Sequence, residues 1–155
     1  MYFSFIERDW KFNGELLYIH DEYSLCYIPF STNVSVSILC GGYTSLDTIC
    51  ETGSIVHISG LNSNHIWIPA KLEMPKSKRG ELIAHFDKPP LKGTGVDYDR
   101  SWRTYYDKNS HCICIGNPSV KDSDFCIEFA NEIVAVLNGE RLIAIWAKIR
   151  EVQML

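Results

Sequence analysis

Residues 112–149 read CICIGNPSVKDSDFCIEFANEIVAVLNGERLIAIWAKI, and the spacing of their apolar positions decides the fold class. Cys126, Phe129, Ala130, Ile133, Val134 and Leu137 recur at i, i+3, i+4, i+7, i+8 and i+11, the spacing of an apolar stripe on one face of a helix. With Asp122 or Ser123 as cap and Asn138-Gly139 as a left-handed stop, this pattern predicts a helix running to about Leu137. Flanking it, His111 to Gly116 predicts a strand that Asn117-Pro118 ends, and Arg141 to Ile149 predicts another. In the latter, Ile143, Ile145, Ala147 and Ile149 point one way and Leu142, Ala144 and Trp146 the other. A strand apolar on both faces belongs inside a sheet that is covered on both sides.

Upstream, strands are expected at Tyr2 to Ile6, Leu16 to His20, Ser24 to Pro29 and Val34 to Cys40, separated by Asn13-Gly14, Asp21-Glu22 and Ser31 to Asn33. Gly41-Gly42 ends this meander. Thr44 to Glu51 predicts a short second helix, capped by Thr44 or Ser45, with Asp47 near its positive end and Gly53 behind it. Further strands are expected at Ser54 to Ser59, His65 to Lys71 and Glu81 to Phe86. The expected architecture is one α+β domain over residues 1–155, a twisted and mainly antiparallel sheet with one main helix in its C-terminal half and a short second helix.

Composition bounds the function classes. A chain of 155 residues buries about two-thirds of its unfolded surface and needs no staples to fold. Its 46% hydrophobic and 22% charged residues argue against disorder and collagen-like repeats. Fifteen basic against nineteen acidic residues give a net charge of −4, which disfavours direct nucleic-acid binding and favours a basic partner. In the N-terminal MYFSFIERDWKF, charges at Glu7, Arg8 and Asp9 interrupt what an export signal would keep apolar. The uncharged run from Tyr23 to Leu46 is broken by Pro29 and by Gly41-Gly42, so it predicts strands and a turn in place of a membrane span. Of six cysteines, Cys26, Cys40, Cys112 and Cys126 lie in apolar runs, and without an export signal all six are expected to be reduced thiols in the cytoplasm.

The segment DKPPLKGTGVDYDRSWRTYYDKNS, residues 87–110, shows neither helical nor strand period and is expected to form a long loop of the recognition type. Tyr98, Trp102, Tyr105 and Tyr106 cluster there with Arg100 and Arg103, the residue types that dominate interface hot spots. Two readings stand side by side: the rings contact a partner, or they fold back over the domain's own sheet edge. Asp124, Glu128 and Glu132, at four-residue intervals, fall on the polar face of the expected helix, where they present either an acidic row or an ordinary solvated face.

Catalytic and metal signatures are weak. Cys112 and Cys114 share a strand face that His111 does not, and no second ligand pair completes a zinc site, so no metal is expected. Gly41-Gly42 lacks the Lys and spaced glycines of a phosphate loop, and no cofactor is expected. His57, His65 and His85 offer general bases, with Ser59 or a thiol as nucleophile, but no local signature organises them.

The layout of Cys112 to Ile149, a strand, a capped helix, an Asn-Gly stop and a Trp-bearing strand, resembles small bacterial immunity proteins of contact-dependent growth inhibition and related polymorphic toxin systems. The resemblance covers roughly the last 40 residues. It implies an antidote in the bacterial cytosol, without enzymatic activity, that binds a cognate toxin domain, often a nuclease, and blocks it. On that reading Tyr98, Trp102, Arg103, Tyr105 and Tyr106 anchor the partner, while Asp97, Asp99, Asp124, Glu128 and Glu132 steer it. A monomer is favoured, with neither membrane nor nucleic-acid contact. The alternatives are a small hydrolase or nuclease-like enzyme using His57, His65 or His85, and a subunit that self-associates through the 87–110 segment.

Overall fold

The structure, a computed structural model, describes residues 1–10 and 13–153; Lys11 and Phe12 of the N-terminal run lie outside the described residues. In chain order its strands are β1 (Tyr2–Glu7), β2 (Glu15–Ile19), β3 (Ser24–Ile28), β4 (Val36–Cys40), β5 (Tyr43–Thr48), β6 (Ser54–Leu61) and β7 (Ile68–Pro69). There follow β8 (Lys78–His85), β9 (Thr94–Asp99), β10 (Thr104–Asp107), β11 (Cys112–Gly116), β12 (Phe125–Ala130), β13 (Ile133–Asn138) and β14 (Arg141–Val152). The helical content among the described residues is two three-residue 3-10 turns, His20–Glu22 and Asn64–Ile66. Among the described residues, no helix is long and apolar enough to cross a membrane.

The α+β expectation is therefore overturned: the fold is nearly all β. The main helix expected to end near Leu137 is a hairpin of β12 and β13, joined through Asn131 and Glu132. The apolar residues that satisfy a helical period also sit in IVAVL, residues 133–137, a continuous apolar run rich in β-branched side chains, and all five are buried. A helix of this length exposes one face, whereas this run is covered on both. Glu132 makes the turn with left-handed backbone, φ 55°. Its N–H donates to Glu128 Oε2 at 2.8 Å, and its carbonyl accepts from Lys148 N at 3.0 Å. Asn138-Gly139, read as a helix stop, instead begins the β13–β14 hairpin, the strongest short-range signal of that motif. The short second helix expected at 44–51 is β5: Gly41 and Gly42, at φ 55° and 78°, turn β4 back on it as a hairpin. Within 87–110, β9 lies parallel to β4 and β10 antiparallel to β11.

Hydrogen-bonded neighbours run β1-β8-β12-β13-β14-β2-β3-β6-β5-β4-β9, and β8 also pairs with β6. The seven strands β6, β8, β12, β13, β14, β2 and β3 thus close a circuit, which removes most of their free edges. β11 adds to β14, β10 to β11, and β7 to β10. Two cores follow from period 2 in the three strands β11, β13 and β14. Ile113, Ile115, Ile133, Ala135, Leu137, Ile145, Ala147 and Ile149 fall in the main core. Cys112, Cys114, Val134, Val136, Ala144 and Trp146 fall in a second one behind them. The alternation breaks at Leu142, which joins the main core. A register shift pairs Val136 with Ala144 but Leu137 with Leu142, so Ile143 is an extra residue that reverses the facing of what precedes it.

The hairpin has a clear mutational signature in chemical denaturation. Ile133→Ala should cost about 2–5 kcal/mol through its cavity. Glu132→Gly should leave stability unchanged or raised, because Gly adopts this backbone without the strain of about 1–2 kcal/mol borne by other residues. A loss beyond about 1 kcal/mol, the cost of Gly in a helix interior, contradicts the turn.

Candidate functional site

The largest exposed apolar side chains that share a cavity are Tyr43, Leu61 and Ile66, 61%, 55% and 75% exposed, around a groove of about 570 Å³. Its opposite wall is the β9–β10 connection, Arg100 to Thr104. Both walls are held by backbone and buried side chains. Gly41 N–H and Gly42 N–H donate to the carbonyls of Asp99 and Arg100, each at 2.9 Å, and Arg100 Nε donates to Gly42 O at 3.0 Å. Gly41 has no substitute, since a Cβ there would lie 2.7 Å from Ile115 Cγ2 on a φ of 55°.

Asn62 fixes the other wall. Buried, it donates from Nδ2 to Thr44 Oγ1 at 3.1 Å and Thr104 Oγ1 at 2.9 Å, accepts from Trp67 Nε1 at Oδ1 at 2.6 Å, and its carbonyl accepts from Tyr18 OH at 2.7 Å. Its N–H donates to Tyr23 O at 2.8 Å. One amide thus ties β5, β10, β2 and the 62–67 segment together with its polar groups engaged.

The groove is cationic. Arg100 lies with Cζ 4.5 Å from the Tyr43 ring centroid, and its nearest carboxylate is Asp97 at 4.0 Å, an exposed pair of small energetic weight. The Arg103 guanidinium has no partner among the described residues. No Asp or Glu lines the cavity.

The ten partner-binding candidates from the sequence do not converge. Trp102 and Arg103 line the groove. Tyr98 turns inward: its ring meets Phe3 at 5.0 Å, and its hydroxyl donates to Leu142 O at 2.9 Å and accepts from Leu142 N–H at 3.1 Å. Tyr105 packs on the second core. Tyr106 donates its hydroxyl to Glu151 Oε2 at 2.5 Å in a separate cavity. Asp97 is exposed beside Arg100, and Asp99 accepts from Ser101 N and Oγ. The expected acidic helix face does not exist. Asp124 accepts from Lys121 N and Asn138 Nδ2, Glu128 from Glu132 N with Arg79 Nε at 3.6 Å, and Glu132 occupies the hairpin turn. Tyr43, Leu61 and Ile66 were missed because Tyr43 adjoins an expected helix, Leu61 stands singly and Ile66 falls in the strand expected at His65 to Lys71; strand pairing sets Tyr43 opposite Leu61, and the 3-10 turn Asn64–Ile66 puts Ile66 in the same groove.

The three histidines serve separate neighbours. His57 Nδ1 lies 2.9 Å from Asp47 Oδ2, and Ser45 Oγ donates to Asp47 Oδ1 at 2.9 Å, a sequence of groups like that of a hydrolytic triad. Ser45 stands on the wrong side, however. His57 Nε2 accepts the Ser31 N–H at 3.1 Å, which places the ring proton on Nδ1, and Tyr27 and Phe30 cover the ring at 4.8 and 4.6 Å. No substrate reaches that nitrogen. His85 Nε2 lies 2.7 Å from Ser4 Oγ and stacks on Tyr2 at 4.4 Å, while His65 Nε2 lies 3.3 Å from Tyr23 OH. With Ser54 opposite Ile83, His57 and His85 diverge along the ladder to a separation of about 17 Å.

All six cysteines are free, and no group of three or more His, Cys, Asp or Glu among the described residues has metal-holding geometry. Burial pushes the Cys40 and Cys112 thiols up to about 12, and Cys114 higher still. Such thiols are neither nucleophiles nor ready metal ligands at neutral pH. No protein-family model matches the chain, and a search of curated proteins finds no similar sequence.

Iodoacetamide at pH 8 should accordingly leave Cys40, Cys112 and Cys114 unmodified in the native protein, with labelling read by peptide mass spectrometry and completed only in denaturant. Rapid native labelling of any of the three contradicts their burial.

Proposed function

We propose that the chain is a binding protein that neutralises its partner by occupying it, as the immunity reading implies, and that the groove is the engaging face. The observation that carries this is an exposed apolar surface of Tyr43, Leu61 and Ile66 beside Trp102, framed by Arg100 and Arg103 and free of carboxylates. Aromatic and Arg anchors around a desolvatable centre are the composition of interface hot spots. The hairpin that replaces the expected helix removes part of the layout resemblance, so the proposal rests on the groove.

The groove also revises the expected charge of the partner. The chain carries −4 overall, but the cavity itself presents two guanidinium groups. A matching surface is therefore acidic and apolar where it meets the groove, with Arg100 and Arg103 as the steering charges instead of Asp97, Asp99, Asp124, Glu128 and Glu132. Self-association through the same face is disfavoured, because a two-fold contact sets the arginines of one copy against those of the other.

Co-expression with the toxin domain encoded by a neighbouring gene tests the reading. The expected outcome is restored growth and a co-eluting complex. Ile66→Asp and Arg103→Glu should each weaken affinity at least tenfold while thermal unfolding is unchanged. Wild-type affinity in both variants contradicts the groove, and absence of rescue and binding by the wild type contradicts the function. Light scattering of the chain alone should return the monomer mass across concentrations.

A further inference from the structure

The segment 62–69 is a wall with two sides. Behind the groove lies a second cavity of about 520 Å³, lined by Asn64, Trp67, Tyr106, Asp107, Lys108 and Glu151 among others. Its chemistry is unlike that of the groove. Glu151, near the end of β14, is oriented by three side chains: His20 Nε2 lies 2.9 Å from Oε1, Tyr106 OH donates to Oε2 at 2.5 Å, and His111 Nδ1 lies 3.8 Å from Oε2. Asn64 in turn meets His20 Nδ1 at 3.3 Å. A carboxylate so held keeps spare lone pairs on each oxygen and is half-buried beside the cavity.

The other walls add negative potential. Trp67 spends its single N–H on Asn62 Oδ1, so the part of the indole that lines the cavity is π surface and carbon. The Tyr106 ring lies 4.7 Å from it, and burial, then Glu151, raises the Tyr106 phenol well above its ordinary value, which keeps it a neutral donor. Asp107, buried, accepts Leu72 N–H at 2.8 Å and Asn109 N–H at 2.9 Å, bonds that hold its carboxyl below the usual range and fix its charge. Against two carboxylates and two rings stands one lining cation, Lys108, which is exposed.

We propose that this cavity binds an alkylammonium group, seated against Trp67 and Tyr106 with its charge on Glu151. Ring faces attract cations through their quadrupole, and a desolvated carboxylate supplies the charge-assisted hydrogen bond. The volume of about 520 Å³ lies in the range of small-molecule sites. The same chemistry is offered by a free small amine or by a lysine side chain. The site is independent of the groove's function.

The test is a ¹H–¹⁵N NMR titration of the whole chain with n-butylammonium, 1-butanol, butyrate and N-acetyl-lysine-methylamide. Saturable shifts at the Trp67 indole and at 106–109 and 151 are expected with n-butylammonium, and absent with butanol and butyrate. Glu151→Gln, which keeps the shape of the side chain and one acceptor oxygen for Tyr106 while removing the charge, should weaken binding at least tenfold. Lys108→Gln, on the surface, should strengthen it about twofold by removing the competing cation. Tighter binding of the lysine derivative than of butylammonium assigns the site to a peptide side chain, and the reverse assigns it to a free amine. Equal shifts from butanol, an unchanged affinity in Glu151→Gln, or no saturable shift with either amine overturns the proposal.

Discussion

The two-sided burial of β14 is the constraint on which the rest of the molecule depends. Twelve residues long, this strand pairs with β13 and β11 along Arg141–Lys148 and with β2 along Ile149–Val152. Its alternate side chains enter two different cores, Ile145, Ala147 and Ile149 in one and Ala144 and Trp146 in the other. Neither core exists without it. Over residues 142–147 the strand has no solvent face on which to place a polar residue, which is why its exposed charges, Arg141, Lys148 and Arg150, fall outside that stretch.

Both walls of the groove hang from this strand by separate routes. Through β2, whose Tyr18 hydroxyl donates to Asn62 O and accepts from Asn64 N–H, it fixes the 62–69 wall. Through β11, whose Gly116 N–H donates to Arg103 O and whose register sets β10, it fixes the Arg100–Thr104 wall. Asn62 then joins the two by its bond to Thr104. The groove walls are consequently tied to the sheet by these hydrogen bonds. A preformed surface loses little conformational entropy when it is covered, which is the economy that tight inhibitor complexes use.

Much of the sheet was legible in the sequence. The strands near Tyr2, Leu16, Ser24, Val36, Ser54, Cys112 and Arg141 follow from alternation and turn chemistry, and the two-sided character of β14 from its apolar run. The region 122–137 was not legible as strands, because a hairpin of one amphipathic and one fully buried strand also places apolar residues at three- and four-residue intervals. Its turn carries Glu132 at φ 55°, a residue that gives no turn signal, whereas the informative Asn138-Gly139 ends helices and hairpins alike. The 87–110 segment hid β9 because its partner, β4, is remote in sequence, and β10 because a four-residue strand in a hairpin with β11 is too short to show a period. Trp102 and Arg103, which line the groove, stood out in the sequence by residue type, whereas Tyr43 and Leu61 meet only through strand register and Ile66 joins them through the 3-10 turn Asn64–Ile66.

The central claim is that the groove is a preformed part of the sheet. Native-state hydrogen exchange tests it most directly, by comparing the amides of Gly41, Gly42, Asn62 and Gly116, whose bonds hold the groove walls, with those of β14. The account predicts that these wall amides exchange with opening free energies close to that of β14, as members of one cooperative unit. Exchange of the wall amides through a local opening several kcal/mol easier than that of β14 would contradict it, and would make the groove a surface that forms only on binding.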